Sequence, residues 1–200
     1  MNSTLIPSHS PRRQLTQKHI RRRRTLVLLL LVISLLGLIA VTWLKQELEL
    51  RDVPPVMGMH PVVAAKQLEL ERATRKLGIT ILVTDSFRSK EEQDALHRQG
   101  RSESGRIVTK AKGGQSYHNF GLAIDFALRT KQGKVIWDME YDGNKNGKSD
   151  WMEVVAVAKG LGFTWGGDWK SFRDYPHLQM DFGYSIRDLQ RGKRPPTVLE

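Results

Sequence analysis

The 200-residue sequence contains no cysteine. That removes disulfide frameworks, thiol nucleophiles and thiolate metal sites, so any metal has to be held by histidine, aspartate or glutamate. Acidic residues are missing from residues 1–24, which carry Arg12, Arg13, Lys18 and Arg21 to Arg24. Setting those seven aside lowers the formal net charge from +11 to +4, so the basic excess sits on a tail. Nucleic-acid recognition needs basic groups spread over a folded face among aromatic or base-reading side chains. The sequence does not present that arrangement, and no nucleic-acid partner is expected.

Charge of either sign is missing from Thr25 to Leu44, TLVLLLLVISLLGLIAVTWL. About 20 apolar residues are what a helix needs to cross a ~30 Å hydrocarbon core. Four arginines precede the run, whereas Lys45 to Asp52 mixes both signs, which keeps the N-terminus in the cytoplasm. A cleaved signal peptide would have an apolar region of only about 7–15 residues before a small-residue site, so an uncleaved anchor is the expectation. The organisation read from the chain is a basic cytoplasmic tail 1–24, a transmembrane signal anchor 25–44, a stalk 45–59, one folded domain 60–185 and a polar tail 186–200. The folded domain is expected on the outer side of a bacterial membrane, held there by a single helix.

Within the domain, Pro61 suits the first turn of a helix and Gly78 its end, predicting a helix over 61–77. Ile79 to Thr84 is a short β-branched run bounded by turn residues, which predicts a buried strand. Ser89 with Glu92 forms a capping-box pattern opening a helix that Gly100 closes, and residues 101–115 read as a loop. Leu122, Ile124, Phe126 and Leu128 alternate with Ala123, Asp125 and Ala127, a strand with its large apolar groups on one face and Asp125 on the other. A second alternation spans His177 to Phe182, and pairing of the two strands would present Asp125 and His177 together. Short strands near 134–137 and 163–165 and a helix near 150–160 complete an α+β fold, a small antiparallel sheet with flanking helices.

Two segments concentrate metal-binding chemistry. Ser116-Tyr-His-Asn-Phe-Gly-Leu-Ala-Ile-Asp125 and Asp174-Tyr-Pro-His177 supply two histidines and two carboxylates, and catalytic zinc takes three protein ligands and leaves one position open. Gly121 lets the backbone bend between His118 and the strand, and Ala123 and Ala127 leave room beside Asp125. Ser116, entering the turn, is a candidate to anchor a substrate carbonyl or carboxylate.

These segments resemble the zinc peptidases of peptidoglycan, a family of D-alanyl-D-alanine carboxypeptidases, dipeptidases and L-alanyl-D-glutamate endopeptidases, with a complete match to S-x-H-x-x-G-x-A-x-D. Through SFRSKEEQDALHRQGR, SYHNFGLAIDF and WGGDWKSFRDYPHLQ, residues 60–182 look most like the endopeptidase branch known from cell-wall hydrolases and phage endolysins. The resemblance implies zinc held by His118, Asp125 and His177, with Asp174 as general base. It also implies that Arg88 lies close to the substrate and the developing oxyanion. The implied substrate is the peptidoglycan stem peptide, cut at the L-alanyl-D-glutamate bond. A D,D- or L,D-carboxypeptidase and a non-catalytic peptidoglycan-binding domain are the alternatives.

A second cation site is written into residues 142–153. Asp142, Asn144, Asn146, Gly147, Asp150 and Glu153 fit D-x-D/N-x-D/N-G-x5-E, the calcium-loop pattern, although the preceding KVIWDMEY reads as strand and turn rather than an entering helix. Some phage endolysins of this kind respond to calcium, and a bound ion here is expected to tether a loop near the cleft. The competing reading is a turn in which Asp150 caps the next helix.

Overall fold

The structure is a computed structural model that describes residues 11–51 and 54–198. The first ten residues of the expected cytoplasmic tail, residues 52–53 of the expected stalk and residues 199–200 lie outside that description. Two compact units divide at residue 52.

The first unit is helix α1, Pro11–Arg51. Within its segment Arg21–Lys45 an 18-residue window reaches a mean hydropathy of 2.8, and none of that window's residues is buried. At ~1.5 Å per residue this segment is about 37 Å long, more than a ~30 Å hydrocarbon core requires. The helix outruns the apolar stretch, taking in part of the expected stalk as far as Arg51, because Lys45 to Arg51 are mostly good helix formers and no proline intervenes before Pro54.

The second unit opens with α2 (Pro61–Lys76), which has proline in its first turn and lies one residue short of the predicted end. Strand β1 (Thr80–Asp85) and helix α3 (Lys90–Arg98) follow, and the Ser89–Glu92 capping box forms in both directions. A single 3-10 turn, Tyr117–Phe120, leads into β2 (Ala123–Arg129). Then come β3 (Val135–Ile136), α4 (Asp150–Gly160), β4 (Thr164–Trp165), β5 (His177–Gln179) and α5 (Ile186–Gln190). The sheet is antiparallel in the order β1-β2-β5-β4, with β3 also paired to β2. Strand β2 is therefore central, and α2 and α4 pack against each other.

Ile124, Phe126 and Leu128 of β2 are fully enclosed, as the alternation predicts. The Phe126 and Trp151 rings meet with centroids 4.4 Å apart, joining the sheet to α4. Ala123 and Ala127 are also fully buried, so β2 is covered on both faces and Asp125 sits in a gap between two small residues.

Two expectations are corrected. The predicted strand 177–182 stops at Gln179, because Phe182 (φ 53°) and Gly183 (φ 79°) adopt the left-handed turn conformation and Asp181 accepts the Gly183 N–H. Residues 186–200 are also not merely a polar tail. Leu189 of α5 is buried in the core, Gln190 donates to the Gly114 carbonyl, and Arg194 stands over the Phe120 ring.

Because Phe126 fills the junction of β2 with α4, Phe126→Ala is expected to lower unfolding free energy by about 3–5 kcal/mol. Urea denaturation followed by tryptophan fluorescence measures this.

Candidate metal centre

The register of β2 with β5 places Asp125 directly opposite His177. His118 comes to the same point from the 3-10 turn, where the Ser116 side chain accepts the His118 N–H and Gly121, at φ 67°, reverses the chain into β2. A Cβ at Gly121 would collide with the backbone of Gly58 and His60, so glycine is needed there both for the turn and for close packing.

Three candidate ligand atoms converge. His118 Nε2 lies 3.2 Å from His177 Nδ1, and each of these nitrogens lies 3.3 Å from Asp125 Oδ1. A tetrahedral metal with bonds of about 2.0–2.1 Å has edges of about 3.3–3.4 Å between its ligand atoms, so the triangle already has the size of one face of that tetrahedron. The outer hydrogen bonds fix the tautomers. His118 Nδ1 is 2.6 Å from the Ser86 carbonyl and His177 Nε2 is 2.9 Å from Gln179 Oε1, and both oxygens can only accept. The inward nitrogens are therefore unprotonated acceptors facing a carboxylate oxygen that is buried without a donor. Three lone pairs aimed at one another are repulsive unless a cation lies between them. His118, Asp125 and His177 thus form a group able to hold a metal ion.

Burial alone would raise the Asp125 carboxyl, but its closeness to both imidazoles outweighs burial and holds it well below the usual carboxylate range. Burial lowers His177, yet Asp125, together with Gln179 and Asp174, outweighs burial and raises it. A proton on His177 therefore competes with a cation for the site, and metal affinity should weaken as pH falls. Asp174 is raised by burial and by the Asp125 charge, against the pull of His177, His118 and Arg88.

Asp174, Arg88 and Ser116 line one cleft of about 730 Å³ beside the triangle. Arg88 is fixed by an ion pair with Asp85 and by donating to Gln93 Oε1 at 2.7 Å. A β-bulge between Val83 and Asp85 turns Asp85 toward that pair. Asp174 is set by Gly166, whose carbonyl accepts the Asp174 N–H at 3.1 Å. A Cβ on Gly166 would meet the Asp174 backbone and stand 3.1 Å from the Cβ atoms of both Asp174 and His177.

Several supporting residues were not singled out by the sequence reading. Gln93, fully buried, holds Arg88 on one side and donates to the Ala111 carbonyl and toward Thr109 on the other. Asn119 donates to the Arg88 and Ser89 carbonyls and accepts from the Gly114 and Ser116 N–H groups. Gln179 shares the polar face of its strand with His177, and that alternation was the available signal. For Gln93 the signal was a polar residue three positions before Leu96 on one helix face.

The 142–153 loop is folded around its own side chains. Asp142 accepts the Asn146 and Gly147 N–H groups, while Asn144 and Asn146 donate to Glu153. Asp150 Oδ1 is buried with no partner. Ser149, rather than Asp150, caps α4, which corrects the competing reading. The expectation that this loop borders the cleft is also corrected, since Asn144 is tied to the Leu77 carbonyl at the end of α2 and no loop residue lines the cleft.

Gln179→Leu removes the acceptor that orients His177. It is expected to reduce metal affinity about 10–100-fold with little loss of fold, as read by competition with a chromogenic chelator.

Residues 109–180 match the D-alanyl-D-alanine carboxypeptidase family. Over 138 residues, 69% of this chain and 82% of the relative, the sequence is 58% identical to the peptidoglycan L-alanyl-D-glutamate endopeptidase CwlK of Bacillus subtilis. It is 38% identical over 116 residues, 58% of this chain and 36% of the other, to the L-alanyl-D-glutamate peptidase of a Listeria phage. Among solved structures, the L-Ala D-Glu endopeptidase ChiX of Serratia marcescens superposes with a TM-score of 0.42 at 26% identity, covering 66% of this chain and 84% of that one. The chain belongs to the D-alanyl-D-alanine carboxypeptidase and L-alanyl-D-glutamate endopeptidase family of peptidoglycan peptidases.

Proposed function

We propose that this chain is a zinc-dependent peptidase that hydrolyses the L-alanyl-D-glutamate bond of the peptidoglycan stem peptide, held at the outer face of a bacterial membrane by α1. The observation that carries the reading is the triangle of His118, Asp125 and His177 donor atoms in a chain 58% identical to a peptidoglycan L-alanyl-D-glutamate endopeptidase over most of that enzyme's length. Two imidazoles and one carboxylate form a donor set suited to zinc with an open position. Membrane attachment is supported by the unburied apolar segment of α1.

Zinc held by His118, Asp125 and His177 would supply Lewis acidity for the scissile carbonyl and for an attacking water near neutral pH. The chain's own groups do the rest. Asp174, on the cleft wall, takes the proton from the attacking water and passes it to the leaving nitrogen. Its raised carboxyl brings its basicity closer to what both transfers need. Arg88, anchored by Asp85 and Gln93, keeps a guanidinium N–H for the oxyanion that develops on the carbonyl oxygen. The Ser116 hydroxyl accepts the His118 N–H, leaving its own proton to donate to a substrate oxygen.

Isolated peptidoglycan incubated with the zinc-loaded protein is expected to release fragments with new L-alanine C-termini and D-glutamate N-termini, identified by mass. Asp174→Ala should lower the rate about 10²–10⁴-fold while zinc stays bound, and His177→Ala should lose both zinc and activity. Loss of terminal D-alanine alone would transfer the assignment to a carboxypeptidase. Zinc binding without any release would mean a wall-binding domain.

Calcium at Asp142, Asn144, Asn146, Asp150 and Glu153 is part of the proposal. It is supported by the pre-wrapped loop and the unpartnered Asp150 oxygen, together with the acceptor-rich spacing. Because the loop is braced on α2, the ion would stabilise the packing of α2 with α4 rather than act at the cleft. Calcium should therefore raise Tm, and Glu153→Gln should abolish that rise without changing the zinc content. An unchanged Tm at millimolar calcium would refute the site.

A further inference from the structure

The cleft beside the histidine and aspartate triangle has two cationic side chains on its walls, Arg88 and Lys110. Arg88 is committed to Asp85 and Gln93. Lys110 makes none of the ion pairs found among the described residues. Its Nζ stands 5.7 Å from the centroid of the Phe172 ring, a neutral partner of modest strength at an exposed position. Phe172 itself lies in the chain between Asp168 and Asp174, so the pair bridges two separate segments of the cleft wall. The backbone under Lys110 is set in place, because buried Gln93 donates to the Ala111 carbonyl at 2.9 Å and approaches Thr109 Oγ1 at 3.4 Å. A preset segment therefore presents a cation without a carboxylate partner to the same cavity as the metal triangle.

The substrate of the proposed reaction carries an anion where such a cation would be felt. In the stem peptide the chain continues through the γ-carboxyl of D-glutamate, so the scissile nitrogen sits on a Cα that also bears a free α-carboxylate. Its carboxylate carbon is two bonds from the nitrogen being released, which makes it the nearest anion to the reacting atoms. Amidation of this carboxylate, which gives D-isoglutamine, removes the charge while scarcely changing its size.

We propose that Lys110 binds the α-carboxylate of D-glutamate, exchanging the Phe172 ring for it, and so makes the enzyme prefer unamidated stem peptide over the D-isoglutamine form. This rests on the L-alanyl-D-glutamate assignment above. Lys110 takes no part in bond breaking; it is a specificity-determining residue. A single exposed-rim cation meeting a carboxylate in a partly shielded cleft is expected to give a preference of about tenfold, expressed mainly in KM.

The test uses the full-length zinc-loaded protein in detergent with three synthetic stem peptides. One is unamidated, one is amidated at the D-glutamate α-carboxyl and one is amidated at the third residue. Wild type should cleave the first and third about tenfold better in kcat/KM than the second. Lys110→Met should lower kcat/KM on the first and third about tenfold, leave the second within twofold, and keep the Tm of wild type. Lys110→Arg should retain most of the preference. Equal losses on all three peptides, absence of a preference in wild type, or a preference that follows amidation of the third residue would overturn the lysine assignment while leaving the bond assignment standing. Failure of wild type to cleave any of the peptides would overturn the bond assignment, and this inference with it.

Discussion

The pairing of β2 with β5 is the constraint on which the site depends. Asp125 and His177 are cross-strand partners, and the next link in the ladder, Phe126 N–H to the Pro176 carbonyl at 3.1 Å, pins the register. A slip of one residue would turn the whole polar set of either strand to the other face, carrying Asp125 to the side on which Phe126 now meets Trp151 and separating it from His177. The apolar face of β2 therefore enforces the polar one. What places a carboxylate beside an imidazole is the need to keep Phe126 against Trp151.

Holding three acceptor atoms 3.2–3.3 Å apart is costly for the protein without a cation. The surroundings keep the donors from relaxing away. Both histidines are locked from behind by oxygen acceptors, and the Arg88 N–H donates to the His118 carbonyl, which ties the 3-10 turn to the segment after β1. Asn119 spans the same two segments with both ends of its carboxamide. The outer groups thus outnumber the ligands, and the rigidity of the triangle belongs to residues that never touch a metal.

Elements with strong local signals were legible in the sequence. The capping box at Ser89, the period-two pattern of β2 and the proline start of α2 all rest on near-neighbour physics, and all recur in the structure. The donor set was legible too, because two motifs separated in sequence were each dense in ligand-type residues. Tertiary contacts were not legible. Leu189 becomes a core residue only because α5 folds back, and nothing in a basic, proline-containing segment announces that. Gln93 and Asn119 look like ordinary polar residues until the segments they bridge are brought together. The end of β5 was missed because a left-handed Phe182 is a conformation that a bulky residue rarely adopts.

The identity of residue 174 shows how backbone placement can substitute for side-chain length. An aspartate reaches one methylene less far than a glutamate, so in the role proposed for it the main chain itself has to come closer to the cleft. Gly166 permits that approach, since any Cβ there would occupy the space now filled by the Asp174 backbone and by the Cβ atoms of Asp174 and His177. Trp165 braces the same segment from the other side, its indole N–H donating to the Tyr175 carbonyl at 2.7 Å. The WGGDW stretch, unremarkable as chemistry, therefore sets the position of a carboxylate eight residues further along the chain, and a longer acid at 174 would need a different loop behind it.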